Sequence, residues 1–159
     1  MATQRAVRRV VTGHDADGKA VFASDVEVEP VMPAILTGSA FHLLWGADAT
    51  PTFPDDGSEP ATGEYFPAVG GFRFGLFTVP PRAGPDAGTA TPTPDELAAG
   101  MAEVERLLPG LLKHMEPDDP GMHTTATIDF EVVLAGEVTL ELDDGQKVVL
   151  GPGDTVVQN

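Results

Sequence analysis

His123, Thr125, Asp129 and Glu131 lie close together and all at odd positions. In an extended strand successive side chains alternate between faces, so residues an even number apart share one. A regular strand through this stretch therefore brings an imidazole and two carboxylates together. Such a group either favours a divalent cation or, without one, raises the pKa of one carboxylate until it can act as a general acid or base. The plainer alternative is that a bulge or strand end turns Glu131 to solvent and that His123 is hydrogen-bonded at a rim. The other histidines offer less. His14 sits beside Asp15 in a turn, where a structural hydrogen bond is its expected use. His42 shares a face with Leu44 and is expected to be buried or at a rim, and His114 is expected to be solvated. Trp45 and Tyr65 are candidates for a pocket wall, with core packing as the plainer use.

The elements that must hold these residues are mostly short strands. Val7-Arg8-Arg9-Val10-Val11 and Lys19-Ala20-Val21-Phe22-Ala23 flank Asp17-Gly18, a hairpin turn signal because glycine tolerates positive φ. Phe41 to Trp45 and Phe72 to Val79 read as further strands, joined by a loop over 48–70 dense in proline, glycine and aspartate. A second loop is expected from Pro80 to Thr91. The one convincing helix begins at Thr93-Pro94-Asp95-Glu96, where an N-cap hydroxyl, a first-turn proline and a glutamate three residues after the cap coincide. Leu97, Met101, Val104, Leu107 and Leu108 give it one apolar face. Pro109-Gly110 interrupts it, with Leu111-Leu112 adding a further turn. From Ala126 the chain returns to strands at 126–134, 137–142, 147–150 and 155–157. They are punctuated by Ala135-Gly136, Asp143-Asp144-Gly145 and Gly151-Pro152-Gly153-Asp154. Short strands separated by glycine turns favour an antiparallel sandwich or barrel.

Composition narrows the classes. A chain of 159 residues is expected to form one domain. The absence of cysteine excludes disulfides, thiolate metal sites and a cysteine nucleophile. A formal net charge of −16 repels nucleic acid and anionic membrane surfaces. The first residues lead into no apolar run, and no uninterrupted apolar stretch approaches membrane-spanning length, so a cytoplasmic location is expected. No G-x-S-x-G elbow, phosphate-cradling G-x4-G-K-[ST], H-E-x-x-H or dinucleotide fingerprint is present.

The stretch from Gly121 to Asp154 resembles the cupin family, whose first motif is commonly written G-x5-H-x-H-x3,4-E-x6-G and whose second contains P-x-G-x2-H. Aligned on Gly136, the chain places His123, Thr125 and Asp129 where that family carries two histidines and a glutamate. A closer resemblance is to small bacterial cupin-domain proteins. It rests on Thr12 to Phe22 (T-G-H-D-A-D-G-x-x-V-F), Met122 to Phe130 (M-H-x-T-x-T-x-D-F) and Pro152 to Gln158 (P-G-D-x-V-V-Q). In that subgroup the last phrase continues into G-T-x-H-A-W, so the final histidine and the closing strands are expected beyond Asn159, with truncation favoured over a natural short form completed by strand exchange with another copy.

The resemblance implies a mainly β fold, a cupin-type antiparallel β-barrel (double-stranded β-helix or jelly roll). An N-terminal hairpin and a helix near residues 94–108 belong to it, all within a single domain over 1–159. Its parts are strands and loops to 92, helix 93–115, and core strands over 122–159. It implies a divalent metal (Fe, Mn, Zn or Ni) on His123 and Asp129, with Asp129 and Glu131 as catalytic carboxylates. The function it implies is a small-molecule cupin, an oxygenase, isomerase or decarboxylase acting on an organic acid or polyketide-like substrate, and homodimeric. The competing reading is a metal-free ligand-binding or assembly barrel, which Thr125 in place of a histidine favours.

Overall fold

The computed structural model describes residues 5–81, 92–118 and 121–159, and the chain divides into two compact units, Met1–Thr125 and Ala126–Asn159. The expected loop from Pro80 to Thr91 lies, beyond Pro81, outside the described residues. The fold is mainly β, with one α-helix among the described residues and strands paired antiparallel in four two-stranded sheets. None of these sheets closes into a barrel.

In the first unit, β1 (Val7–His14) and β2 (Ala20–Val28) form the expected hairpin, each strand running further at its C-terminal end than the apolar residues suggest. Its turn is held by Asp15, whose carboxylate accepts from the backbone amides of Asp17 and Lys19. A bulge falls between Val11 and Thr12, where the register passes from Ser24 to Phe22. β3 (Ala40–Ala47) pairs with β4 (Phe72–Thr78), and here too one residue is extra: Leu43 faces Gly75 and Trp45 faces Phe74, leaving Leu44 unpaired in the ladder. A bulged residue loses its ladder partner. The Leu44 carbonyl instead accepts from Arg9 Nη1 at 2.9 Å, while Arg9 Nη2 meets Glu59 at 2.7 Å and the guanidinium lies 5.2 Å from the Trp45 ring centre.

The proline-rich segment 48–70 forms neither helix nor strand, as its composition suggests, yet it is pinned at several points. Arg73 donates to the carbonyls of Ala47, Phe72 and Glu64 and pairs with Asp48 at 2.5 Å, and the other Asp48 oxygen accepts from the Gly63 amide. The Arg73 hydrogen bond, followed by that of the Gly63 amide, holds the Asp48 carboxyl below its ordinary pKa. A depressed carboxylate pKa stabilises the fold above the unfolded value and loses that contribution as pH falls through the folded one. Asp48→Asn is therefore expected to lower the urea midpoint at neutral pH, with the difference from wild type shrinking below about pH 4. A pH series of urea titrations reads this directly.

Helix α1 (Pro94–Leu107) starts as its sequence requires. The Glu96 amide donates to Thr93 Oγ1 at 3.3 Å, and Glu96 accepts from the Thr93 amide and hydroxyl at 2.8 Å each. Those hydrogen bonds hold the Glu96 carboxyl below its usual range. Thr93→Ala removes the hydroxyl's two hydrogen bonds and leaves the backbone amide on Glu96, and is expected to cost about 1 kcal/mol, measured as a fall in thermal midpoint. The helix ends at Leu108, before Pro109, and the expected further turn appears as a 3-10 turn at Leu112–His114. Val104 and Leu108 are fully buried and, with Phe41 and Leu111, form the core of this unit, lined by Val31, Ile35, Tyr65, Phe66 and Met115. Leu97 and Met101, from the same predicted stripe, stay nearly half exposed.

The second unit is nested. β5 (Asp129–Val132) pairs with β8 (Thr155–Gln158), and between them in sequence β6 (Val138–Glu141) and β7 (Lys147–Leu150) pair with each other. Glycine and aspartate turns at Gly136, Asp144 and Gly153 take positive φ, as the punctuation predicts. The expected strand over 126–134 is shorter than its apolar pattern, because Ala126 and Thr127 form a bend and only 129–132 pair.

Candidate functional site

That bend changes the parity argument for the candidate residues. His123 and Asp129 do not lie on one continuous strand, so an even separation no longer sets them on one face. Each belongs to a different unit and is described there.

His123 sits in a small clasp of the first unit. Residues 114–116 run antiparallel to 122–124: Met115 bridges His123, the Thr124 amide donates to the His114 carbonyl at 3.0 Å, and the Glu116 amide donates to the Met122 carbonyl at 2.9 Å. Thr124 Oγ1 also donates to Glu116 at 2.8 Å. The clasp sets two imidazoles on one ring. His123 is exposed and stacks over Phe66 with ring centres 5.9 Å apart, while His114 meets the same ring in a T-shaped contact at 4.9 Å. His114 is thus half-buried and engaged, not solvated as its sequence surroundings suggest. Its Nδ1 lies 3.0 Å from the Thr124 carbonyl, which only accepts, so Nδ1 donates that hydrogen bond. Phe66 continues through Tyr65 to Phe41 in the core, and Phe41 stacks in turn on the exposed Phe77. Tyr65 therefore packs against the core.

Nothing local in the sequence marks the pairing of His114 with Phe66, since the two are far apart along the chain. The clue available is Gly121, at φ 103 between the two arms of the clasp. The remaining histidines are structural. His14 donates from Nδ1 to the Asp55 carbonyl at 3.1 Å, as expected of a turn residue. His42 is 5% exposed and donates from Nε2 to the Arg5 carbonyl at 3.0 Å, leaving Nδ1 buried without a partner among the described residues.

In the second unit, Asp129 faces Gln158 across the sheet and Glu131 faces Val156, so the two carboxylates occupy one face of β5. Asp129 is half-buried and Glu131 exposed. The opposite face carries Phe130 and Val132 beside Val157 and Thr155. Among the described residues no three histidine, aspartate or glutamate side chains stand together as a metal ion would require. Of the expected donor set, His123 lies in the first unit and Asp129 and Glu131 in the second. The groups present that can transfer protons are a pair of carboxylates on one strand of the second unit and, in the first unit, a histidine held through Nδ1 on an aromatic platform.

The chain is similar to proteins of fungal biosynthesis clusters. Two are the phomopsin biosynthesis cluster proteins C′ and D of Diaporthe leptostromiformis, each 29% identical over 156 residues, covering 97% of this chain and 67% of the relative. A third is the oryzines biosynthesis cluster protein J of Aspergillus oryzae, 45% identical over 40 residues, 25% of this chain and 22% of that protein. No family model matches the chain.

Proposed function

We propose that this chain works in small-molecule biosynthesis, as a cupin-type protein whose barrel strands include those of the second unit. The observation that carries the biosynthetic part of this reading is similarity along 97% of the chain to two proteins of one biosynthesis cluster, and the cupin part rests on the motif resemblance. The β strands, antiparallel pairing and glycine turns of residues 126–159 are compatible with a barrel architecture. Of the two ligand classes the sequence suggests, the polyketide-like one suits the site better than an organic acid. A chain of net charge −16 with Asp129 and Glu131 on one strand face repels a carboxylate ligand and tolerates a neutral phenol. Asp129 or Glu131 would move a proton on the bound molecule, as an isomerase or decarboxylase requires. A metal-free, purely ligand-binding role is the second reading, favoured by Thr125 standing where the resembled family has an imidazole.

Ligand-observed NMR with a panel of neutral phenolic polyketides and short organic acids separates these readings. Binding of the phenols, with turnover falling about 100-fold or more in Asp129→Asn/Glu131→Gln while binding survives, supports the enzyme. Binding without turnover supports the carrier, and binding of neither panel removes both. Elemental analysis after exposure to Fe, Mn, Zn and Ni tests the metal expectation on the same preparation. Stoichiometric uptake lost in His123→Ala would establish it, and no uptake would end it.

A further inference from the structure

We infer, on the reading that a carboxylate of the second unit moves a proton, that Asp129 and Gln158 act together on a neutral, enolisable ketone. Asp129 takes the α-proton, and the Gln158 amide holds the oxygen that becomes charged. Within the β5–β8 sheet Asp129 lies directly opposite Gln158, and Glu131 lies opposite Val156. Residues directly opposite in an antiparallel pair set their Cβ atoms about 5 Å apart on one face, so two such side chains can touch one small molecule.

The two groups are chemically complementary. A carboxylate only accepts hydrogen bonds, whereas a glutamine amide also offers two N–H groups. Among the described residues neither side chain hydrogen-bonds another, so both retain that capacity. Glutamine is one methylene longer than aspartate, and its amide therefore stands further from the sheet than the Asp129 carboxylate. A ketone laid across the pair sets its α-carbon over Asp129 and its carbonyl oxygen at Gln158. Glu131 has no such neighbour, because the Val156 side chain neither donates nor accepts. Register thus selects Asp129 as the base.

Charge sets the ligand class. The α C–H bond breaks, its proton passes to Asp129, and the bonding pair moves onto the carbonyl oxygen to form an enolate, which accepts from Gln158 N–H. Negative charge passes from the carboxylate to the enolate, so the site gains none, a condition that matters in a chain of net charge −16. A ligand carrying its own carboxylate would add one. Returning the proton to the same carbon restores the ketone and returning it elsewhere isomerises it, with no oxidant or reductant required. A fixed donor at a developing oxyanion is worth about 100- to 1,000-fold in rate.

The test is deuterium incorporation into 2-tetralone, a neutral fused-ring ketone, by the full chain in D2O, followed by proton NMR. Binding of the analogue methylated at both α-carbons, which cannot enolise, is measured alongside to show that each variant keeps its site. Wild type should deuterate the ketone faster than buffer does, and Asp129→Asn should fall to the buffer rate. Gln158→Leu and the isosteric Gln158→Glu should each lose about 100-fold while Asp129→Asn still binds the methylated analogue. Wild-type exchange in both Gln158 variants overturns the inference, and an inactive Asp129→Asn beside them leaves the proton-transfer reading standing. Exchange no faster than buffer in wild type also overturns it, and binding and turnover of the phenol panel then show whether the broader reading falls with it.

Discussion

Gly13→Ala is expected to destabilise the first unit by about 3 kcal/mol, lowering the urea midpoint by roughly 2 M. The cause is a backbone contact, not a turn conformation. A methyl group at Gly13 would lie 2.0 Å from the Asp56 carbonyl oxygen and 2.6 Å from the Gly57 amide nitrogen, and backbone atoms cannot step aside as a flexible side chain can. The same approach brings the His14 amide to the Asp55 carbonyl at 2.8 Å, so the segment Asp55 to Gly57 lies against the end of β1. Displacing it breaks that hydrogen bond and disturbs the loop that reaches Glu59 and its Arg9 partner. Gly18→Ala is the control. Its φ of 78 is left-handed but nothing lies within 4 Å, so only the conformational penalty of about 1 kcal/mol applies. Equal losses in the two variants would show that close packing at Gly13 contributes nothing.

Leu108→Ala is expected to cost about 3 to 4 kcal/mol and to lower the thermal midpoint by roughly 10 °C. Leu108 is fully buried in a core cluster otherwise made of Phe41, Val104 and Leu111, so few neighbours are available to collapse into the cavity. A loss of this size is a large fraction of the 5 to about 15 kcal/mol that holds a typical domain together. Leu97→Ala, on the same helical stripe but 44% exposed, should cost less than about 1 kcal/mol. Differential scanning calorimetry of the pair tests whether the core lies at the C-terminal end of α1, as burial indicates, or along the whole stripe, as periodicity suggests.

That contrast shows how far local pattern reaches. The hairpin at Asp15 to Gly18, the start of α1 at Thr93 and its stop before Pro109 are all legible, because each is decided by a few adjacent residues whose backbone preferences agree. Pairing is not decided locally. Nothing near Asp129 announces that its strand will join Thr155–Gln158 across an intervening hairpin, and nothing near His114 announces Phe66. The carboxylate pair was legible, since two residues on one strand share a face wherever that strand goes. His123 was a different matter, because a two-residue bend at Ala126-Thr127 is enough to uncouple parity on its two sides. Short apolar-polar alternations overstate strand length for the same reason: alternation persists through a bend that ends the ladder.

The extra residue at Leu44 ties chain length to chemistry elsewhere. Its displaced carbonyl is where the Arg9 guanidinium rests, so a chain lacking this one residue would regain a straight ladder and leave that cation without its seat. Arginine at 9 and the inserted residue at 44 should then appear and disappear together among relatives. A gap in one column of an alignment would predict a side chain in another.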